Sequence, residues 1–358
     1  MTAGTAATHT TATTPATQQP KLALALGGGA VRGAAHFGVL HALELEGLEV
    51  HAIAGTSSGA IVGTLFALGK FGKDSKLEIH KLISAIGAEA FDDLQHLFFK
   101  DHTHENLFER LRTITGFERA LRSAIRTPGL STLEPLRANL ETLLGAAEFS
   151  DLRIPFGVVT VDLLSGEKVV LSAGRLLEAV LASSAIPGVF PPIEIDGRLL
   201  ADGHVLDNVP AEVARGLIDG PSVVLAVDVS TNYEPQPAPK NAFDVANRAA
   251  EISREHLKRA SVGKADLVIR IGDEVRAQNF EHSRVSDLFE AGLERGHQVA
   301  PQIRAALEAL QPQPEPQPEP SRQELPRSRE TSRFGLDWRT IFARNQAQND
   351  KGSDSLKA

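Results

Sequence analysis

The chain of 358 residues contains no cysteine, which excludes a disulfide framework, a cysteine nucleophile and a thiolate metal site. It also lacks a long apolar run: the longest candidate, residues 60–68, is about half of the roughly 18 to 20 residues that a membrane-spanning helix needs. A basic stripe is missing too, because the formal net charge is −8 and Lys and Arg are interspersed with Asp and Glu. We therefore expect a globular protein that neither crosses a membrane nor binds nucleic acid.

The first 20 residues differ in composition from the rest of the chain. They hold eight Thr and five Ala, no charged side chain and no Leu, Ile, Val or Phe. Such a segment cannot bury enough apolar surface to offset the entropy lost on ordering, so we predict that residues 1–20 are disordered. They also lack the basic start and apolar stretch of a secretory signal and the arginines of a mitochondrial one, which favours a cytoplasmic location.

The sequence after Leu310 changes character as well. Residues 311–333 are rich in Pro, Gln and Glu, and they predict an extended linker. Residues 334–358 form a tail in which four large apolar side chains have the spacing of one helical face: Phe334, Trp338, Ile341 and Phe342. Two alternatives stay open for this segment: it folds back onto the domain or stays disordered, or it is a helix that binds a membrane surface or a partner.

Residues 21–310 remain as the folded domain. The head is uncharged and the tail after Leu310 has eight basic and seven acidic residues, so the domain itself carries a net charge of −9. This charge does not favour attraction to an anionic bilayer. Any peripheral contact with a membrane would therefore have to rely on apolar side chains.

Short apolar runs alternate with helical patterns along the domain. The predicted strands are 21–26, 50–54, 156–162, 169–171, 223–229 and 267–271. The predicted helices are 34–46, 60–68, 176–183, 211–218, 242–261 and 287–310. This alternation predicts an α/β fold, a three-layer α/β/α sandwich with a mostly parallel central sheet.

The region 70–152 is helical in pattern and rich in Phe, so it forms either a cap over a site or ordinary helices packed against the sheet. Three of its histidines lie close in sequence but match no metal-ligand spacing with a mechanical basis: His96, His102 and His104. We predict a polar loop there, and we expect neither a metal nor a cofactor.

The helical pattern that begins at residue 242 carries a run of basic residues interspersed with Glu251 and Glu255 at helical spacing. The basic residues are Arg248, Arg254, Lys258, Arg259 and Lys264. Paired charges of this kind predict a solvated helix face rather than a patch for lipid headgroups.

A glycine-rich loop, Gly-Gly-Gly-Ala-Val-Arg-Gly at residues 27–33, follows the first strand. Glycines let backbone N–H groups approach a ligand closely, and the next helix adds a positive dipole end, so the loop suits a phosphate or a developing oxyanion. It does not match G-x-G-x-x-G, because Ala30 stands at the middle glycine, and it is not a Walker loop.

A second turn, Gly-Thr-Ser-Ser-Gly at residues 55–59, matches G-x-S-x-G between a predicted strand and a predicted helix. Such a turn exposes the Ser57 hydroxyl at a helix N-terminus, where it can act as a nucleophile. The alternative is a small-residue helix start with Ser57 as a plain N-cap. Parallel strands joined by one right-handed crossover end at the same edge of the sheet, so we expect Gly29 and Ser57 to be neighbours.

A serine nucleophile needs a proton acceptor, either a histidine held by an aspartate or an aspartate acting directly. Residues 199–204, Leu-Leu-Ala-Asp-Gly-His, end an apolar stretch in an Asp-Gly turn that could present the Asp202 carboxylate at a strand end. An ordinary turn aspartate is the alternative.

These motifs, with Ala-Ser-Ser-Ala-Ile-Pro-Gly-Val-Phe-Pro-Pro at residues 182–192 between the serine turn and the Asp-Gly turn, resemble the patatin-like phospholipases. The resemblance covers about residues 21–218, continues more loosely to 310, and is closest to the bacterial single-domain members. It implies hydrolysis of phospholipid, lysophospholipid or related lipid esters by a Ser57–Asp202 dyad through an acyl-enzyme. It also implies an oxyanion hole at Gly28 and Gly29, with Arg32 in the same loop.

Three residues depart from the family pattern: Ala30 in place of a frequent glycine, Ser58 in place of a frequent alanine, and His204 after Asp-Gly. His204 therefore remains a candidate to assist or replace Asp202 in proton transfer.

Other functions stay open beside lipid hydrolysis. An α/β-hydrolase would use a late histidine as base, with His256, His282 or His297 as candidates. A nucleotide-binding protein would explain the glycine loop, but it would leave the serine turn without a role. A non-catalytic protein could instead bind a membrane or a partner through its tail. The oligomeric state stays open.

Overall fold

A computed structural model describes residues 19–70, 128–129, 131–272 and 284–311. They belong to one compact unit that extends to Pro312. Several predictions concern segments outside the described residues: almost all of the head predicted to be disordered, most of the Phe-rich region with its three histidines, and almost all of the linker and tail.

Eight strands of the described residues form one sheet. They are β1 (Lys21–Leu26), β2 (Ala52–Thr56), β3 (Phe156–Asp162), β4 (Lys168–Leu171), β5 (Ile193–Ile195), β6 (Arg198–Asp202), β7 (Ser222–Asp228) and β8 (Leu267–Arg270). Hydrogen-bonded neighbours follow the order β5-β6-β3-β2-β1-β7-β8, and β4 also pairs with β3. Five neighbouring strands are parallel to one another: β3, β2, β1, β7 and β8. The other three, β4, β5 and β6, pair in the antiparallel direction.

The described α-helices are α1 (Ala34–Leu45), α2 (Ser58–Ala67), α3 (Glu134–Leu144), α4 (Leu176–Ser183), α5 (Ala211–Gly216), α6 (Ala242–Val262) and α7 (Val285–Ala309). They cover both faces of the sheet, as the side chains of β1 illustrate. Leu22, Leu24 and Leu26 join the core of one face, whereas Ala23 and Ala25 pack with α5 and α6 on the other. The predicted three-layer α/β/α sandwich is confirmed, with a mixed sheet that is parallel at its centre.

Helices α1 and α7 pack unusually closely because glycines stand at their contact. A Cβ on Gly38 would overlap the backbone oxygen of Phe289, and a Cβ on Gly292 would overlap the backbone oxygen of Ala35. Gly296 faces the side chain of Ala42 at the same contact. The absence of these side chains lets the backbones of α1 and α7 touch.

We predict that Gly292→Ala lowers the free energy of unfolding by about 1–3 kcal/mol, because the added methyl group forces two backbones apart. Gly216→Ala is the matched control, since a Cβ at Gly216 would meet no atom within 4 Å. Urea denaturation measures both. An equal effect of the two substitutions would contradict the close-packing account.

Candidate active site

The turn between β2 and α2 holds a single residue, Ser57, since β2 ends at Thr56 and α2 begins at Ser58. Ser57 has φ 54° and ψ −121°, a left-handed conformation that costs a non-glycine residue of order 1–3 kcal/mol. The flanking residues must be small: a Cβ on Gly55 would lie 2.6 Å from the backbone oxygen of Gly59. The backbone N–H of Ser57 donates to Ser183 Oγ at 2.9 Å, which holds the turn against α4.

The pairing of β3 determines where Asp202 lies. Strand β4 pairs with residues 158–161 on one edge of β3, so β2 and β6 must share the other edge. Strand β2 runs parallel to β3 and ends at Thr56, opposite Val159; β6 runs antiparallel and ends at Asp202, opposite Thr160. The two strands thus meet with their carboxyl ends, and Ser57 and Asp202 line one cavity.

The Asp202 side chain is only 1% exposed. Its Oδ1 accepts a hydrogen bond from the backbone N–H of His204 at 2.9 Å and lies 3.2 Å from His204 Nδ1. Gly203 is required here, because a Cβ would lie 2.5 Å from the backbone oxygen of Val159. Within the described part of the chain, the Ser57 hydroxyl makes no hydrogen bond, a common state of catalytic groups without substrate.

The glycine-rich loop lies beside Ser57, since a Cβ on Gly28 would lie 3.0 Å from Ser57 Cβ. Its first donors are occupied: the Gly28 N–H donates to the backbone oxygen of Asn208 at 3.1 Å, and the Gly29 N–H donates to Ser58 Oγ at 3.0 Å. The next N–H group, that of Ala30, has no acceptor among the described residues, and Ala30 lines the cavity.

Arg32, the third predicted site residue of this loop, is only 6% exposed. Its Nε donates to the backbone oxygen of Val229 at 2.8 Å. A Cβ on Gly29 would also lie 2.7 Å from Val229 Cγ2. Arg32 therefore ties the loop after β1 to the end of β7.

Two residues that no sequence motif indicated, Asp207 and Asn208, form a clamp that joins the ends of β1 and β2. The backbone oxygen of Asp207 accepts from Thr56 Oγ1 at 2.9 Å, and Asn208 Nδ2 donates to the Gly28 oxygen at 3.2 Å. The Asp207 carboxylate is itself held by Lys168 at 2.8 Å and by the Ser261 hydroxyl at 2.5 Å. Most of these bonds involve backbone groups or partners distant in sequence, so no local sequence motif predicts the clamp.

His36 is a second residue that the motifs did not indicate. It is fully buried, and its Nε2 donates to the Gly27 oxygen at 2.7 Å, which supports the loop from below. Burial lowers the pKa of His36 from 6.5 to about 4, although the hydrogen bond to Gly27 acts in the opposite direction. The side chain is therefore neutral at pH 7.

The cavity has a volume of about 1010 Å³ and extends far beyond Ser57. It crosses the carboxyl ends of β2, β1, β7 and β8, and its far wall is formed by the segment 230–237 and by α6. Lys258 on this wall is 5% exposed, so the prediction of a fully solvated face for α6 is wrong at this residue. Two buried carboxylates, those of Asp228 and Glu255, compensate its charge, and its Nζ also donates to the Ser230 hydroxyl at 3.0 Å.

Residues 24–215, more than half of the chain, match the patatin-like phospholipase family. The chain belongs to this family. The predicted resemblance is confirmed, and the α/β-hydrolase fold with a late histidine is excluded. In the patatin-like structure, His256 and His297 do not line the cavity, and His297 instead contacts Glu46 at 2.8 Å; His282 lies outside the described residues.

The patatin-like chain is 36% identical over 213 residues to an uncharacterized NTE family protein of Mycobacterium tuberculosis, covering 60% of this chain and 49% of the relative. It is 31% identical over 215 residues to the rat patatin-like phospholipase domain-containing protein 7, covering 60% of this chain and 14% of that protein. The chain thus spans half or less of the length of these curated relatives.

Two solved structures are also similar. VipD from Legionella pneumophila has a TM-score of 0.43 and 17% identity, over 80% of this chain and 67% of that chain. Human GIVD cytosolic phospholipase A2 has a TM-score of 0.37 and 13% identity, over 81% and 60% of the two chains.

The described residues contain no helix long and apolar enough to span a bilayer. In the same ranges, no three His, Asp or Glu side chains are grouped so that they could hold a metal ion. Both statements apply to the described part of this patatin-like chain.

We predict that His36 makes the stability of this patatin-like domain pH-dependent. Because the pKa of His36 is 6.5 when unfolded and about 4 when folded, only the unfolded state binds a proton between these values. The His36 contribution is therefore complete above pH 6.5 and is lost as the pH falls towards 4, by about 2 kcal/mol at pH 5. Urea denaturation of wild type and His36→Gln at pH 7 and pH 5 measures it.

The fall in stability between pH 7 and pH 5 should be about 2 kcal/mol smaller in His36→Gln than in wild type. His256→Gln, on the exposed face of α6, is the control and should leave the fall unchanged. Equal falls in wild type and His36→Gln would show that His36 is not the group responsible.

Proposed function

We propose that the protein is a serine acyl hydrolase that cleaves carboxylic ester bonds in phospholipids, lysophospholipids or related lipids. In this proposal Ser57 is the nucleophile and Asp202 is its general base. The observation that carries it is the meeting of β2 and β6 on one edge of β3, which brings a strained, half-buried serine turn and a buried carboxylate to one cavity. Membership of the patatin-like phospholipase family supports the same chemistry.

Acylation would begin with attack of Ser57 Oγ on the ester carbonyl carbon, while the hydroxyl proton passes to the Asp202 carboxylate. The tetrahedral intermediate then collapses, the bond to the alcohol oxygen breaks, and Asp202 returns the proton to the departing alkoxide. The acyl group remains as an ester on Ser57. Ser57 lines the cavity as the N-cap residue of α2, where the positive end of the helix dipole favours the developing alkoxide.

Deacylation would repeat these steps with water as the nucleophile. Asp202 accepts a proton from the attacking water, and the second tetrahedral intermediate expels Ser57 Oγ, which takes the proton back. The products are a fatty acid and the regenerated enzyme. No step requires a metal or an organic cofactor.

The oxyanion would be stabilised by the loop that contains Gly28, Gly29 and Arg32. The Gly29 N–H becomes available when the Ser58 hydroxyl rotates away, and the Ala30 N–H needs no such change. Arg32 acts as a positioning residue in this scheme, since its guanidinium is bonded to the backbone oxygen of Val229. Such donors are worth about 3 to 4 kcal/mol of barrier.

A second assignment of the base deserves a test because His204 Nδ1 lies 3.2 Å from Asp202 Oδ1, and 25% of the His204 side chain is exposed. In this arrangement Asp202 orients the imidazole, and His204 takes the serine proton. The direct dyad is preferred because Asp202 itself ends the strand that meets β2. A cytoplasmic location and peripheral membrane contact stay predictions.

Substitutions distinguish between Asp202 and His204 as the general base. Ser57→Ala and Asp202→Asn should each lower kcat for a short-chain p-nitrophenyl ester by roughly a thousandfold or more, because each removes a group that the reaction uses. His204→Ala should retain most of the activity. Circular dichroism confirms folding of each variant, and a loss in His204→Ala equal to that in Asp202→Asn would favour the triad.

Ser58→Ala tests the oxyanion loop. Removing the hydroxyl leaves the Gly29 N–H without its intramolecular acceptor, so the donor is free for the substrate. We expect kcat to be retained or raised by a few-fold. A fall of tenfold or more in folded protein would instead mean that Ser58 is needed to hold the loop in place.

A further inference from the structure

The part of the cavity beyond Ser57 is polar and wide. From β2 it passes across β1 and β7 to β8, three strand spacings or about 14 Å. The side chains on its far wall are mostly polar or charged, among them Asn232, Tyr233, Gln236 and Glu251. An acyl chain gains little from such a wall, whereas the polar part of a lipid fits it.

Three cationic side chains line the cavity, and two of them already have partners. Arg32 donates to the backbone oxygen of Val229. Lys258 Nζ lies 2.9 Å from Glu255 Oε2, 3.0 Å from Ser230 Oγ and 3.1 Å from the backbone oxygen of Thr231. These two cations therefore have intramolecular partners, and their hydrogen bonds hold the segment after β7 in place.

Arg254, one turn before Lys258 on α6, is different. It lines the cavity and is half-buried, but it forms neither an ion pair nor a hydrogen bond with any described residue. The two carboxylates of α6 that line the cavity have other partners: Glu255 binds Lys258 and Arg259, and Glu251 accepts from Gln236 at 3.4 Å. A guanidinium that lines a cavity and has no protein partner keeps its N–H donors available for an anionic ligand.

We propose that Arg254 is a specificity-determining residue that binds the phosphate of a lipid ester whose acyl group is attacked by Ser57. The inference rests on the proposed function. A guanidinium matches a phosphate with two parallel N–H···O bonds, and a phospholipid carries its phosphate only a few bonds from its ester. Ser57 and Arg254 line the same cavity, and in this proposal one lipid contacts both.

The kinetic test compares two esters that differ only in the phosphate: lysophosphatidate and the monoacylglycerol with the same acyl chain. The measured quantity is the ratio of their kcat/KM values in the full-length protein. Arg254→Gln should lower this ratio about tenfold or more, because a charge-assisted hydrogen bond is lost. The change should lie mainly in KM for lysophosphatidate, and Arg254→Lys should restore part of the ratio.

Arg175→Gln is the matched control, since it removes the same charge from an exposed residue outside the cavity. It should leave the ratio unchanged. An unchanged ratio in Arg254→Gln overturns the proposal, and so does an equal loss on both esters, which would indicate a structural role.

A binding measurement tests the role of Arg254 independently of the proposed catalytic function. Titration calorimetry of folded Ser57→Ala protein with glycerol 3-phosphate should show binding that Arg254→Gln weakens about tenfold or more. Failure of wild type to hydrolyse either ester would refute the proposed function, while the calorimetry still decides the role of Arg254. If inorganic phosphate binds as tightly as glycerol phosphate, the site recognises a free anion and the assignment to a lipid headgroup is wrong.

Discussion

Strand β3 offers a single edge to two strands that run in opposite directions, and the candidate site depends on this pairing. Strand β2 uses the edge up to Val159, and β6 uses it from Thr160 onwards. Because both strands end there, the chain must leave the sheet at both points, and the residues that leave are Ser57 and the Asp202–Gly203 turn. The buried carboxylate and the serine hydroxyl are thus brought to one place by backbone pairing.

The parts around this meeting point are held by short-range contacts that leave little freedom. Gly55, Gly59 and Gly203 allow backbones to approach where any side chain would collide. The free-energy cost of the strained Ser57 conformation is offset by the surrounding packing and by the hydrogen bond from its backbone N–H to Ser183. The glycine loop is held from one side by Asn208, from below by His36 and through Arg32 by the end of β7. Oriented N–H groups on a loop held in this way can stabilise a developing charge with little reorganisation.

Most of the central sheet could be predicted from local patterns, because strands β1, β3 and β7 are buried on both faces and therefore read as continuous apolar runs. The serine turn was recognisable for a similar reason, since its small residues are required locally. The proximity of Asp202 to Ser57 was not readable, because it follows from the register of β6 on β3, a pairing between residues about forty positions apart. The same limit applies to α6: helical spacing suggested solvated charge pairs, whereas Lys258 is buried by the segment after β7, a contact that no helical pattern records.

The central claim is that Ser57 is a nucleophile activated by Asp202, and a fluorophosphonate probe tests it most directly. The probe reacts covalently with an activated serine, and mass spectrometry of the digested protein identifies the labelled residue. The account predicts a single adduct on Ser57 in wild type and much slower labelling in folded Asp202→Asn. Labelling of a different residue, or no labelling of well-folded wild-type protein, would contradict it.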